Sequence, residues 1–254
     1  MDALSSGDML VKLGESRQNE KFVVINPHNF PSNCTIIPIH SQGCQQIQLS
    51  NDDIKKYLVI DRMNFRYYKS KQLQLHINKI SGIDEALKGM AFSYEEECNL
   101  EEHKTLKYNR MFKRAISLAK KDLGHNKFLE SIMIWVDVRA SLKFWKQVDT
   151  YRLVTKQSKS TMHMLINSIV KPDDFDFDIK PELLDYINSL IGDGKFQELT
   201  SILPSGWLQT RKMCFSYKTL RNMIQQRSKH KLDEWIQFIN YMKENCLHYE
   251  LLGI

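Results

Sequence analysis

GHNKFLESIMIWVDVRASLKFWKQVDTYRLVTKQSKSTMH, residues 124–163, is the stretch that says most about how this chain is built. After a turn at Gly124, the apolar run Phe128 to Val138 is rich in Ile, Met, Trp and Val, the composition of a buried strand. Arg139–Ser141 reads as a turn into a helix from Leu142 to Tyr151. Beyond that helix, Arg152, Thr155, Lys156, Gln157, Ser158, Lys159, Ser160, Thr161 and His163 supply many donors with almost no aliphatic carbon between them. Polar side chains this dense, beside a buried strand and helix, either coat a solvated loop or line a site for an anionic group.

The totals narrow the setting. A chain of 254 residues makes one large or two small domains, with enough material for a real core. Charges interrupt every apolar run before it reaches the roughly 18 residues a membrane span requires, so no membrane partner is expected. The first residues include Asp2, Asp8 and Glu15 and no secretory apolar segment, which points to a cytoplasmic protein. A net charge of +6 admits an anionic ligand but falls short of the concentrated basic surface of a duplex binder. Cys34, Cys44, Cys98, Cys214 and Cys246 form no C-x-x-C pair, and no H-E-x-x-H occurs. Neither a disulfide framework nor a metal site is expected.

Residues 1–20 read as a loose or partly helical leader. Short β-like runs follow at Phe22–Ile25, Thr35–Ile39, Ile47–Leu49 and Tyr57–Ile60, separated by Asn-Pro, Pro-Ser-Asn and Ser-Gln-Gly breakers. They suggest a β-rich N-terminal extension over residues 1–75, ahead of a main domain at 76–254. Within it, Arg62, Arg66, Lys69 and Lys71 with Phe65, Tyr67 and Tyr68 make either a nucleic-acid surface or a half-buried strand with one wet face. A strand over Gln72–Ile80 and helices over Gly82–Met90 and Lys104–Leu123 come next. The acidic run Glu95–Glu97 with Glu101 and Glu102 reads as a solvated face.

Past residue 160 the pattern predicts helices at Thr161–Val170, Pro181–Ile191 and Phe196–Leu203. Between the first two, Asp173–Asp178 alternates carboxylates with Phe, which is calcium-ligand chemistry without an EF-hand glycine or closing Glu. Ser216–Ser228 is helical with Leu220, Met223 and Ile224 on one face, and the spacing carries that face to Arg227. A guanidinium there takes an acidic partner, snorkels to the helix end, or points a forked, permanent cation into a cleft. Lys231–Leu252 continues as an amphipathic helix through Leu232, Trp235, Ile236, Ile239 and Met242.

Read together, two stretches resemble the flavin-dependent thymidylate synthase (ThyX) family. Gly124-His125 with Glu130, a strand, and Gln147 three residues before a three-residue box resemble the family's G-H-x-x-x-x-E start and Q-x-x-R-H-R-x-x-S-x-N-E-x-S-x-R motif. Leu203-Pro204, Ser216–Leu220 and Arg227 resemble its L-P…N-A-R-S-L…R segment. The resemblance covers roughly residues 80–245. Asp149–Arg152, Ser160–His163 and His230–Trp235 further resemble a divergent, phage-type branch, which would place the protein in host cytoplasm.

The match is partial. Gln147, Arg152, Ser160 and Arg227 stand where the family has Gln, the third box residue, the second Ser and a nucleotide-contacting Arg, and Thr155 replaces the first Ser. Thr150 and Tyr151 occupy the Arg and His places, Gln157 and Ser158 the Asn and Glu places, and Met162 the final Arg. Lys218 replaces another Arg, Ser216 an Asn, and Asn222 falls where the family helps hold its flavin. Each lost guanidinium removes charge-assisted hydrogen bonds worth about 1.5–3 kcal/mol.

The resemblance implies an α+β fold, a central mixed or antiparallel sheet flanked by long helices, and a homotetramer with shared sites. It implies a nucleotide ligand held by Gln147, Thr155, Ser158, Ser160 and Arg227. Tyr151, Arg152, Lys218 and Asn222 would face FAD, and Arg152 and Arg227 would be the catalytic pair. Two readings follow: flavin-dependent one-carbon transfer to dUMP or a related pyrimidine nucleotide, which also needs NADPH and methylenetetrahydrofolate, or non-catalytic capture of a nucleotide or cyclic nucleotide, as in phage counter-defence. A structural scaffold is the third.

Overall fold

A computed structural model describes residues 8–12, 21–29, 33–38, 47–54, 57–63, 65–94, 108–121, 124–166 and 168–254. The first half supplies β1 (Met9–Lys12), β2 (Lys21–Asn29), β3 (Asn33–Pro38), β4 (Ile47–Ser50) and β5 (Tyr57–Met63). The rest of the sheet is β6 (Tyr68–Lys69), β7 (Gln74–Ser81), β8 (Met133–Ser141), β9 (Val154–Ser158) and β10 (Leu208–Ser216). Their order is β4-β3-β2-β1-β5-β7-β8-β10-β9, with β6 beside β7, and the pairings are antiparallel. The architecture is therefore α+β with an antiparallel sheet.

Helices are α1 (Asn51–Ile54), α2 (Ile83–Ala91), α3 (Tyr108–Ala119), α4 (Leu142–Val148) and α5 (Thr161–Ile166), followed by α6 (Pro181–Gly192), α7 (Phe196–Ile202), α8 (Tyr217–Arg227) and α9 (Asp233–Asn245). In β8 the alternation is strict: Ile134, Val136 and Val138 are fully buried, while Trp135, Asp137 and Arg139 between them are half-buried. This is the period-2 consequence of a pleated strand covered on one face. The covering layer brings Phe144 and Trp145 from α4, Leu220 and Met223 from α8, and Trp235, Phe238 and Met242 from α9 into one core. A second, smaller core gathers Phe175, Ile187, Leu190, Leu199 and Trp207 beneath α6 and α7.

Several boundaries differ from the sequence reading, each for a local reason. The run Phe128–Val138 is not one strand: Lys127–Glu130 forms a 3-10 turn, and β8 starts only at Met133. Arg139–Ser141 is the end of that strand rather than a turn, because Gln74 and Thr210 on the neighbouring strands pair with Arg139. The helix after it stops at Val148. The polar stretch that could have been a loop contains β9, an edge strand whose residues pair from Val154↔Phe215 to Ser158↔Arg211. Its exposed Thr155, Gln157 and Ser158 hide the pairing from any hydropathy pattern.

The leader contains β1, which pairs with both β2 and β5. The final helix breaks after Asn245, and a 3-10 turn at Tyr249–Leu252 follows. The glutamates at 95–97, 101 and 102, with Lys104 and Leu123, lie outside the described residues. The basic–aromatic patch is dispersed: Phe65 is buried, the Tyr68 hydroxyl donates to Gln237, and Lys71 pairs with Asp178, leaving Arg66, Tyr67 and Lys69 exposed. The alternating carboxylates of 173–178 also go separate ways. Asp174 takes Arg139 at 2.8 Å, Asp176 takes Lys143, and Asp178 takes Lys71.

Candidate functional site

Two helix starts set the frame of the site. Ser141 caps α4, its hydroxyl accepting from the Phe144 N–H at 3.2 Å. Glu234, in the first turn of α9, accepts from both the Ser141 N–H and the Ser141 hydroxyl at 3.0 Å. Glu234 is 2% exposed, and burial pushes its carboxyl pKa up, with the two bonds from Ser141 opposing. This link fixes α9 against α4 and delivers the adjacent Trp235, fully buried, to the last turn of α4.

There the Trp235 indole N–H donates to Gln147 Oε1 at 3.1 Å. Tyr151, just past α4, lies with its ring centroid 6.1 Å from that of Trp235. Arg227, the last residue of α8, donates from Nε to Tyr151 Oη at 3.1 Å. Its guanidinium carbon sits 5.4 Å from the Trp235 ring centre and 5.8 Å from that of Tyr151. Attraction to two ring faces holds the cation half-buried without an anion.

Among the described residues no carboxylate stands within ion-pair distance of Arg227. Asp149, two residues before Tyr151, is engaged by Lys156 at 3.1 Å and Arg211 at 3.2 Å. Of the alternatives open for this guanidinium, an acidic partner is thus absent among the described residues. His230 closes the cluster, edge-on to Trp235 at 6.3 Å. Burial first, and the Arg227 charge second, lower its pKa.

The structure therefore brings together Gln147, Tyr151 and Arg227. Trp235 and His230 join them, and the sequence reading did not single out either for the site. Trp235 was legible only as one position of an apolar stripe, although a buried indole N–H usually takes an acceptor.

The other expected site residues fall elsewhere in the chain. Thr155 and Ser158 lie exposed on β9, opposite Cys214 and Arg211. Ser160 is also exposed, and its hydroxyl accepts from the His163 N–H at 3.4 Å at the start of α5. Val154, by contrast, begins β9 beside α8, where Thr219 bonds the Leu153 carbonyl at 3.5 Å. Strand β9 ends at Ser158, two residues before Ser160. Among the described residues no hydrogen bond or ring contact joins Thr155, Ser158 or Ser160 to the cluster around Arg227.

On α8, Lys218 donates to Asn126 Oδ1 and Asn222 follows one turn later, half-buried. Arg152 is exposed and makes no ion pair among the described residues. Thr150 turns its hydroxyl back to its own helix, donating to the Gln147 carbonyl at 2.7 Å. Cys214 is half-buried on β10, and burial raises its thiol pKa, which disfavours a nucleophilic thiolate.

No protein-family model matches the chain, and no curated protein sequence matches it. Solved structures do. A crystal structure of thymidylate synthase X from Helicobacter pylori with FAD and dUMP shares 13% identity at a TM-score of 0.52, over 70% of this chain and 96% of that one. A second structure of flavin-dependent thymidylate synthase from Helicobacter pylori, complexed with FAD and dUMP, shares 11% at 0.53, over 67% and 92%. Likeness at such identities is one of fold, and it agrees with the ThyX-like α+β architecture expected above.

Proposed function

We propose that the chain is a nucleotide-binding protein in which Arg227 is the principal cation of the site. The observation that carries this is the half-buried guanidinium held at Nε by Tyr151, with no carboxylate partner among the described residues. Such a group keeps its terminal N–H bonds available and gains most from a ligand that brings oxygen acceptors. The fold shared with enzymes whose structures hold dUMP supports a nucleotide as that ligand. Gln147 orients it. Thr155, Ser158 and Ser160 serve the same ligand across a subunit boundary, in a homotetramer of the kind the resemblance implies.

Arg152, Lys218 and Asn222, with Tyr151, are the residues that would hold FAD. The exposed Arg152 guanidinium, and Lys218 if it leaves its bond to Asn126, suit a phosphate-bearing group, although with fewer guanidinium forks than the family motif contains. A bound flavin would supply two-electron transfer, with NADPH and methylenetetrahydrofolate as co-substrates. Arg152 and Arg227 would then stabilise negative charge on the pyrimidine.

A second reading, capture without chemistry, is favoured by Thr150. Its hydroxyl turns back into α4 where the family motif has an arginine.

Calorimetric titration with dUMP tests the nucleotide reading. Saturable binding that falls roughly tenfold to a hundredfold in Arg227→Ala supports it, the range expected for one charged hydrogen bond. Wild type that takes up no nucleotide, or a variant that binds as well, refutes it. Flavin absorbance of the purified protein, and incubation of dUMP with the full cofactor set, separate the two readings: a methylated base supports catalysis and unchanged nucleotide supports capture.

A further inference from the structure

A cavity of about 330 Å3 lies away from the Arg227 cluster, where Arg139 on β8 and the start of β10 meet α5 and the segment leading to Asp174. Leu165, Ile169 and Val170 supply its apolar wall. That wall is pinned from behind. Asn188 on α6 accepts from the Val170 N–H at 2.9 Å and donates to the Val170 carbonyl at 3.1 Å. On the sheet side, Gln209 donates to the Lys159 carbonyl at 3.2 Å, and the Lys159 N–H donates to the Thr210 carbonyl at 2.9 Å. A cavity with fixed walls loses little freedom when something fills it.

Three of the residues around it have donors still without an acceptor. Trp207 is 6% exposed, yet no acceptor among the described residues takes its indole N–H. The buried indoles of Trp145 and Trp235 each find one, at 2.9 Å and 3.1 Å, as is usual. Arg139 uses only Nη2, on the Asp173 carbonyl at 3.1 Å and on Asp174 Oδ1 at 2.8 Å. Its Nε and Nη1 meet no acceptor among the described residues. Lys159 is exposed and makes no ion pair among them. Asp174 offsets one of the two positive charges, and both its oxygens are engaged, the second by the Lys171 N–H at 2.9 Å.

We propose that this cavity is a second ligand site, for a small organic anion with an apolar body, of which an aryl carboxylate is the type. The head oxygens accept from Trp207, Arg139 and Lys159, and the body lies against Leu165, Ile169 and Val170. An ionised carboxylate accepts and does not donate, so it answers all three groups at once. An ammonium head would add donors where acceptors are already lacking. The volume stands at the lower end of the range for ligand pockets, about 300–1,000 Å3, and suits a body of one or two rings. None of this depends on Arg227 or on the nucleotide reading.

The test is calorimetric titration of the full chain with 2-naphthoate and with 2-naphthylmethylamine, which keeps the rings and reverses the charge of the head. Naphthoate should saturate and bind at least about tenfold more tightly than the amine. Ile169 is 72% exposed, so the fold does not need it, and Ile169→Glu puts a carboxylate at the cavity. Naphthoate affinity should fall about tenfold or more in that variant, and about threefold to tenfold in Lys159→Ala. Trp207→Phe keeps an aromatic ring and removes the N–H. It should weaken naphthoate about fivefold, with the unfolding temperature recorded so that loss of core packing is read separately.

Naphthoate that binds no more tightly than the amine, or does not bind, overturns the site. So does wild-type affinity in both Ile169→Glu and Lys159→Ala. Saturating dUMP should leave naphthoate in place; displacement would put the probe in the nucleotide site and overturn the second one. A chain that binds naphthoate as described but no dUMP removes the nucleotide reading and leaves this site standing.

Discussion

At the scale of single residues, the account rests on a guanidinium that aromatic rings hold in place. Arg227 is tied at Nε to Tyr151 and lies over two ring faces, so its fork has a defined orientation before any ligand arrives. Arg227→Lys keeps the charge and loses the fork. Its dUMP affinity should fall between those of wild type and Arg227→Ala in the same titration, and equality with wild type would reduce the contribution to simple charge. Tyr151→Phe removes the hydroxyl that holds Nε but keeps the ring. It should weaken nucleotide binding several-fold while the unfolding temperature moves by only a few degrees, as expected for loss of one hydrogen bond of about 1 kcal/mol.

At the scale of elements, helix starts do the positioning. Ser141 caps α4 and also donates to Glu234 at 3.0 Å, so one hydroxyl joins two helices. Ser141→Ala should cost about 2 kcal/mol in denaturant unfolding, the upper end for loss of a cap, because it also removes a bond to a buried carboxyl. A loss below half that figure would mean the two helices are held by packing alone. Gly82 starts α2 with φ 95°, and a Cβ there would meet the Ser131 backbone carbonyl. Gly82→Ala should therefore destabilise by at least about 1 kcal/mol, read in the same way.

These elements also show what the sequence disclosed. Strand β7 and helices α2, α6, α7 and α8 were legible in the sequence, and β8 was visible as an apolar run although its start and its alternation were not. Strand β9 was not legible. It is an edge strand with exposed Thr155, Gln157 and Ser158, and its register comes from β10, sixty residues away in sequence space by rough count. The anchoring role of Trp235 was equally invisible, since a hydrogen bond between α9 and α4 leaves no trace in either helix's own periodicity. Arg227 was visible because its charge breaks an apolar face.

At the scale of the whole molecule, the long antiparallel sheet supports a helical layer that carries the site at its surface, and it also contains a buried acid. The Glu234 carboxyl has a raised pKa in the folded state, mainly from burial. The folded chain therefore holds that proton more tightly than the unfolded chain does. The associated stability is present below the usual carboxylate range and is lost as pH rises through the raised folded value. Glu234→Gln, which still offers an oxygen to the Ser141 N–H, should flatten this decline in thermal unfolding measured across mildly acidic to neutral pH. A variant that keeps the full wild-type slope would place the titration on another group.

The most direct measurement is a crystal structure of the protein grown with dUMP. The account predicts nucleotide oxygens within hydrogen-bonding distance of the terminal nitrogens of Arg227 and of the Gln147 NH2, with the Trp235–Gln147 bond intact. Nucleotide bound elsewhere, with Arg227 turned to a carboxylate, would contradict it.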